Sequence, residues 1–319
     1  MLAAVIICDT SEPAEHQQPG SVAGPHRAPW AAAEVLGQAP VARVAENLKR
    51  ACDSAAVVVN GASRASAVMT ESATVDHAGR SLANYRRQGF NFVLVVRCGA
   101  YVEIDVGEML SFHQHQGCEV TRAFTDEEPL DVWLADTSAM QDQTPLLSAL
   151  LSTRTAMFRS REYANPLQSP HDFRRLVLDG FQGRCGFRPQ GAEIKPGIWV
   201  CEGAKIEHSA RVVPPAFIGR NVQISDECLI TRGSNIESNS HVDFGTVVED
   251  SSILSNTYVG IGLDLSHSIV DGRNLLNLQH TVNLEITDPV VMRENVLTGR
   301  DYRIRTSIEN DRNVLSSAE

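Results

Sequence analysis

The sequence predicts two folds in series, a Rossmann-like α/β domain followed by a left-handed parallel β-helix. The first half alternates short β-branched runs with amphipathic stretches, which is typical of the strands and helices of an α/β layer. The second half places an aliphatic residue at every sixth position from Ile194 to Leu254. Neither an α-helix nor an ordinary strand has a six-residue period, whereas a hexapeptide-repeat β-helix does.

The length of 319 residues leaves room for two domains, and 43% hydrophobic residues can supply a packed core in each. From the change of pattern we predict an α/β domain over 1–170 and a linker helix with its connection over 171–192. We then predict the β-helix over 193–294 and a polar tail over 295–319.

Charge and cysteine usage exclude several classes of protein. The net charge of -11 argues against a nucleic-acid partner, because no basic stripe is present to neutralise phosphates. The seven cysteines have no CxxC spacing, so we expect reduced thiols in a cytoplasmic protein rather than a zinc knuckle or a disulfide framework. The apolar start MLAAVIIC is shorter than a membrane span and lacks a basic leader. It predicts a buried strand, with no membrane insertion.

Three runs in the first half read as central strands of a parallel sheet, namely Ala3–Ile7, Ala55–Val59 and Phe92–Val96. Apolar residues at helical spacing predict helices over 40–52 and Gly107–His115. The first strand is followed by residues 9–30, a Pro-, Gly- and His-rich stretch that predicts a loop. In open α/β sheets, ligands bind at this carboxyl end of the strands.

The second half has a strict register in which every sixth side chain is expected to point inward and stack on its equivalent in the next coil. The inward positions are Ile194, Val200, Ile206, Val212, Ile218, Ile224, Ile230, Ile236, Val242, Val248 and Leu254. Mostly small residues follow four positions after each of these and are expected at the corners. Past Leu254 the register slips, and Val270, Leu276 and Val282 resume a six-residue step. This predicts one further irregular coil or a cap.

Several segments together resemble the sugar-nucleotide pyrophosphorylases, in particular the mannose-1-phosphate guanylyltransferase type. AAVII at 3–7 and VVVNG at 57–61 resemble the family's first two strands, and FVLVVRCGAYVEIDVGEMLSFHQHQGCEVT at 92–121 resembles the next strand, its metal-binding turn and helix. The segments 193–219 and 248–272 are similar to the family's β-helix. The resemblance implies an abbreviated nucleotidyltransferase domain before the β-helix, and a role in activated-sugar or polysaccharide synthesis.

The chain departs from the family where the chemistry takes place. The family's Gly-rich phosphate loop is replaced by Cys8-Asp9-Thr10-Ser11-Glu12, with no glycine before Gly20. The family's Lys-Pro pair appears as Ala28-Pro29, and the position of its metal-binding Asp falls at Gly99. Because acidic side chains repel phosphate, and a bridging Mg²⁺ needs a carboxylate ligand, the sequence predicts a homologue with impaired catalysis.

We predict four ligand-binding candidates, Asp9, Thr10, Asn60 and Asp105. Asp9 and Thr10 sit where a nucleotide loop would be, and Asn60 ends the second strand. Each has a structural alternative, because Asp, Thr and Asn are common in turns, and Asp105 is also suited to cap the helix near Gly107. No metal ligand and no catalytic residue is predicted. Mg²⁺ is implied as a cofactor only if nucleotidyl transfer is retained.

Three functions stay open. The first is a catalytically impaired protein that binds a nucleotide sugar or regulates an active partner, and the second is an active nucleotidyltransferase with unusual ligands. The third is a hexapeptide-repeat acyltransferase, in which His208, His241 or His267 would serve as the general base, or a module that only forms assemblies. Because exposed coil ends need covering, we expect a homo-oligomer or a complex with an active homologue.

Overall fold

The computed structural model describes residues 1–9, 30–60, 84–126, 128–139, 150 and 155–295. The chain divides into two compact units, Met1–Pro189 and Gln190–Glu319. None of the helices in the described part of the chain is long and apolar enough to span a membrane. Most of the predicted loop over 9–30, and all of the predicted tail after Asn295, lie outside the described residues.

Three α-helices and eight strands lie entirely within the described part of the first unit. The helices are α1 (Pro40–Ala51), α2 (Val106–Gln116) and α3 (Pro170–Gln182), with short 3-10 turns at Trp30–Ala32 and Thr137–Ala139. The strands are β1 (Leu2–Asp9), β2 (Ser54–Asn60), β3 (Phe92–Cys98), β4 (Tyr101–Val102), β5 (Val120–Phe124), β6 (Pro129–Asp136), β7 (Thr155–Arg159) and β8 (Ala164–Asn165).

Six of these strands form one mixed sheet in the order β2-β1-β3-β6-β5-β7. The predicted parallel arrangement is confirmed for β1, which pairs in parallel with both β2 and β3. The other half of the sheet was not predicted. Strands β6 and β7 fall within 126–170, where the sequence has no regular pattern, and β5 immediately precedes that stretch. There β6 runs antiparallel to both β3 and β5, and β7 is parallel to β5.

The uninterrupted apolar run of β1 follows from its burial on both faces. Ala3, Val5 and Ile7 belong to the cluster on one face of the sheet, and Ala4 and Ile6 on the other face are fully buried. A central parallel strand with both faces covered has no position for a polar side chain. The burial of β1 agrees with the prediction that the first residues form a buried strand.

Helix α3 was predicted as part of a linker over 171–192, but it packs within the first unit. Its Phe173 ring lies 5.0 Å from the ring of Trp30, and the hydroxyl of Tyr163 donates to Oδ2 of Asp179 at 2.7 Å. A capping box at Ser169 starts the helix. The chain divides only after this helix, between Pro189 and Gln190.

The second unit is built from short strands. They are β9 (Ala192–Lys195), β10 (Ile198–Val200), β11 (Lys205–Ile206), β12 (Arg211–Val212), β13 (Ala216–Ile218), β14 (Gln223–Ile224), β15 (Leu229–Thr231), β16 (Ser234–Ile236), β17 (His241–Val242), β18 (Val247–Glu249), β19 (Ser252–Ile253), β20 (Thr257–Val259), β21 (Asp264–Ser266), β22 (Ser268–Asp271), β23 (Asn274–Asn277), β24 (Val282–Glu285) and β25 (Met292–Glu294).

From β10 to β22, every third strand pairs in parallel and builds one of three stacks. The first stack is β10-β13-β16-β19-β22, the second is β11-β14-β17-β20 and the third is β12-β15-β18-β21. Each turn of the chain therefore contributes one strand to each stack. The arrangement is consistent with the predicted β-helix.

The six-residue register is confirmed in its middle and wrong at its ends. Six consecutive predicted positions are buried in one core: Ile218, Ile224, Ile230, Ile236, Val242 and Val248. At the start, Ile194 is 56% exposed because β9 turns back antiparallel to β10. At the end, Ile253 rather than Leu254 aligns with Ile236 and joins the core. The coil there has 17 residues instead of 18, which shifts the register by one.

Three of the small residues that were predicted at the corners are buried, and their hydroxyl groups link successive coils. Ser234, Ser240 and Thr246 are fully buried, and each donates to a backbone carbonyl 14 residues later. Each also accepts a backbone N–H from a residue 17 positions later. A small hydroxyl residue thus fits the space and satisfies backbone groups that would otherwise be buried unpaired.

Both of the predicted alternatives are present after Leu254, because β20, β21 and β22 form one further coil and a cap then ends the coils. Strands β22, β23 and β24 form an antiparallel meander, and β25 pairs antiparallel with β20. Val270 is buried in β22, but Val282 is 40% exposed in β24. The apparent six-residue step from Val270 to Val282 therefore does not continue the coil.

Candidate functional site

The carboxyl ends of β1, β2 and β3 meet at one edge of the first sheet. Strand β1 lies between the other two, and the register aligns Asp9 with Asn60 and Cys8 with Cys98. The chain passes from β1 to β2 on one side and then crosses to β3 on the other, so the strand order reverses at β1. Ligands of open α/β sheets bind outside the carboxyl ends of the strands at such a reversal.

Two of the predicted site residues lie at this edge. Asp9 is the last residue of β1 and Asn60 is the last residue of β2, and they are direct partners across the parallel pair. Thr10 lies outside the described residues. The structure therefore brings Asp9 and Asn60 together through the backbone register, although they are 51 positions apart in the chain.

Gly99 follows β3 directly at the same edge, where the resembled family has its metal-binding Asp. Among the described residues, no atom lies within 4 Å of a Cβ atom built on Gly99. Packing against these residues therefore does not require a glycine at this position. In the described part of the chain, no group of three or more His, Cys, Asp or Glu side chains has the geometry of a metal site.

Asp105 has the structural role that was weighed as the alternative to ligand binding. It is the N-cap of α2, and its Oδ1 accepts a hydrogen bond of 2.9 Å from the backbone N–H of Glu108. The helix ends at Gly117, which has a left-handed φ of 57°. One carboxylate oxygen of Asp105 is thus engaged by the helix, which lowers its capacity to hold a ligand.

The three candidate histidines of the second unit occupy separate places. His208 is exposed, and His241 lies in β17 with its Nε2 3.0 Å from the hydroxyl of Ser225. His267 follows β21, and its Nδ1 lies 2.6 Å from Oδ2 of Asp250. Because they lie on different parts of the coils, any general-base role would fall to one histidine alone.

His241 belongs to a polar network that the sequence did not predict. Ser225 donates to Oδ1 of Asp243 at 3.3 Å, and Tyr258 donates to Oδ2 of the same carboxylate at 2.7 Å. The guanidinium carbon of Arg293 lies 3.6 Å from the centroid of the Tyr258 ring. These residues come from successive coils and no sequence motif joins them. The available signal was the spacing, since Ser225 and Asp243 are one 18-residue coil apart.

No protein-family model matches the chain, and no curated protein matches it in sequence.

Proposed function

We propose that the first unit binds a nucleotide sugar at the carboxyl edge of β1, β2 and β3 and catalyses nucleotidyl transfer poorly or not at all. The observation that carries this proposal is the reversal of strand order at β1, which places Asp9 and Asn60 side by side. Side chains at such an edge can hydrogen-bond the sugar or the base of a nucleotide.

The proposed loss of catalysis is supported by two features of the same edge. Gly99 supplies no carboxylate for the Mg²⁺ that normally bridges the phosphates in phosphoryl and nucleotidyl transfer. Asp9, at the end of β1, adds negative charge where the resembled family has a phosphate loop. A bound nucleotide sugar carries fewer phosphate charges than a nucleoside triphosphate. This edge is therefore better suited to the product class than to the triphosphate substrate.

Binding is tested by thermal unfolding of the full chain with a panel of guanosine, uridine and adenosine diphosphate sugars. A selective ligand is expected to raise the unfolding midpoint by mass action. Asn60→Ala is expected to weaken that shift. Asn91→Ala is the matched control, since Asn91 is an exposed asparagine just before β3 at the opposite edge of the same sheet. No shift with any nucleotide sugar, or an equal shift in Asn60→Ala, would contradict the proposal.

Catalytic loss is tested separately by pyrophosphate release from nucleoside triphosphate and sugar 1-phosphate. The wild-type chain is expected to show little release. Gly99→Asp is expected to strengthen Mg²⁺-dependent nucleotide binding, with Gly99→Asn as the control of equal size without the charge. Substantial Mg²⁺-dependent release by the wild type would instead support an active nucleotidyltransferase with unusual ligands.

For the second unit, we propose that the three stacks form a left-handed β-helix that takes part in self-association or in a complex with an active homologue. Support comes from its terminal strands, because every residue of β9 and β24 is exposed and strand edges favour pairing with another chain. Sedimentation of the full chain checks the oligomeric state. A monomer at all concentrations would contradict self-association, and an experimental structure with right-handed coils would contradict the handedness.

One observation favours acyl transfer as a second candidate function. Asp250 holds Nδ1 of His267, and the His267 side chain is 41% exposed, which is the orientation of a general base. Release of free thiol from an acyl thioester in the presence of sugar acceptors would be the measurement. His267→Gln is expected to abolish it and His208→Gln to leave it unchanged.

A further inference from the structure

A cavity of about 280 Å³ lies in the first unit between α1 and β3. Most of its wall is aliphatic and comes from both elements and from the chain after β3, with Val44, Leu48, Leu94, Val96 and Val102 among the lining residues. This volume is near the lower end of the range for small-molecule sites. An apolar side chain of four or five carbon atoms would fit such a wall.

Two opposite charges line the same cavity, Arg43 from α1 and Glu103 from the chain after β4. Gly186 fixes both of them. Its carbonyl accepts a hydrogen bond of 3.0 Å from Nη2 of Arg43, and its N–H donates to Oε1 of Glu103 at 2.5 Å. The hydroxyl of Tyr101 donates to the same carboxylate oxygen at 2.7 Å. Both charged groups are therefore held in place at the cavity.

No ion pair joins these two charged side chains among the described residues. In the described part of the chain, the ion pair made by Arg43 is with Glu46 at 3.4 Å, and Glu103 forms none. Nε of Arg43 is buried and has no hydrogen-bond partner among the described residues. A buried donor without an acceptor destabilises the protein, so a ligand oxygen that reaches Nε after a small shift of the Arg43 side chain would be favoured.

We infer that this cavity binds a free α-amino acid with an aliphatic side chain. The ligand's carboxylate accepts from Nε of Arg43, its ammonium group pairs with the carboxylate of Glu103, and its side chain packs among Val44, Leu48 and Leu94. A simple carboxylic acid is disfavoured because Glu103 repels its negative charge. A simple amine is disfavoured because Arg43 repels its positive charge. A purely apolar molecule would leave Nε without an acceptor. Only a zwitterion with an apolar body satisfies the cation, the anion and the wall together.

This binding site goes beyond the proposed nucleotide-sugar function and does not depend on it. No sequence pattern indicated this site, because Arg43, Glu103 and Gly186 are separated by 60 and 83 positions and share no motif. The available signal was limited to a charged residue on α1 beside the apolar positions that face the sheet.

The test is calorimetric titration of the full chain with L-leucine, isocaproate and isopentylamine, three molecules with the same apolar body. L-leucine is expected to bind saturably, and the two singly charged analogues are expected to bind at least about tenfold more weakly. Arg43→Gln and Glu103→Gln are each expected to weaken leucine binding by at least about tenfold. Arg50→Gln is the matched control, since Arg50 is an exposed partner of the same Glu46 on α1, and its leucine affinity is expected to stay unchanged.

Val44→Met keeps the proposal testable if a charge variant fails to fold. The longer side chain extends into the cavity without a change of charge, and it is expected to reduce leucine affinity while the thermal unfolding midpoint is maintained. The inference is overturned if L-leucine, L-valine, L-isoleucine and L-methionine all fail to bind. It is also overturned if isocaproate binds as well as leucine, or if Arg50→Gln loses as much affinity as Arg43→Gln.

Discussion

The hydroxyl of Tyr258 donates a hydrogen bond of 2.7 Å to Oδ2 of Asp243, one coil earlier in the second unit. Arg293 of β25 stacks on the same tyrosine ring. The contact therefore connects two coils with the strand that ends the described chain. Burial raises the pKa of Asp243, but hydrogen bonds from the Tyr258 hydroxyl and the Phe244 N–H outweigh it. The net effect holds the pKa of Asp243 below its ordinary value.

The lowered pKa of Asp243 predicts a contribution to stability that depends on pH. The contribution is complete above the unfolded-state pKa of about 3.9, and it is lost as the pH falls through the lower folded-state pKa. Asp243→Asn is expected to reduce the free energy of unfolding at neutral pH by about 1–2 kcal/mol. Its difference from wild type should shrink in acid.

Denaturation curves between neutral pH and about pH 3 measure this dependence. Asp264→Asn is the matched control, because Asp264 is an exposed aspartate of β21 in the same unit. A difference for Asp243→Asn that stays constant with pH would show that the carboxylate charge is not the source of the stabilisation.

Two substitutions of Asp105 distinguish a capping role from a ligand-binding role. Asp105→Ala removes the acceptor for the N–H of Glu108 and is expected to cost about 1 kcal/mol of stability. Asp105→Asn retains a capping oxygen and should cost less. If the charge of Asp105 also binds a ligand, Asp105→Asn will lower the ligand-induced shift in thermal unfolding while stability is kept. Equal stability of the alanine variant and wild type would contradict the cap.

Ile236 and Ile261 offer the same substitution in opposite environments of the second unit. Ile236 is fully buried among the stacked aliphatic residues, whereas Ile261 is 63% exposed. Ile236→Ala is expected to lower the free energy of unfolding by about 2–5 kcal/mol, because it leaves a cavity between coils. Ile261→Ala is expected to stay within about 0.5 kcal/mol of wild type. Similar losses in both variants, measured by chemical denaturation, would argue against the stacked core.

Asn239 lies in a ladder of asparagines at one corner of the coils. Its side chain accepts from Asn221 at 3.1 Å and donates to Asn256 at 3.3 Å, and its φ of 60° is left-handed. Asn239→Ala is expected to be less stable than Asn239→Gly, because alanine adds about 1–2 kcal/mol of backbone strain in this region. Both variants lose the ladder, so thermal unfolding of the pair isolates the backbone effect. A glycine variant no more stable than the alanine variant would contradict the strained corner.

The features that were predicted well depend on the pattern of hydrophobic residues within a short stretch of the chain. The apolar runs around Val5 and Val95 marked two central strands, and the period of six marked the core from Ile218 to Val248. The mixed half of the first sheet was missed because β5, β6 and β7 bury only part of their residues. Ile253 was missed because a one-residue deletion in a coil is visible only through strand pairing.

At the candidate site, the sequence predicted that Asp9 and Asn60 lie at strand ends, but it could not predict that they are neighbours. Their adjacency depends on the parallel register of β1 and β2. The same limit applied to Arg43 and Glu103, because the cavity exists only where α1 packs on the sheet.

The sequence by itself determined the class of each half, since hydrophobic periodicity is a property of consecutive residues and states which side chains must be buried. It also determined that Gly99 carries no carboxylate for a metal. Tertiary structure alone decided the strand order around β1, the 17-residue coil at Ile253 and the charged cavity at Arg43. These features depend on pairing between residues distant in the chain, and local pattern does not encode that pairing.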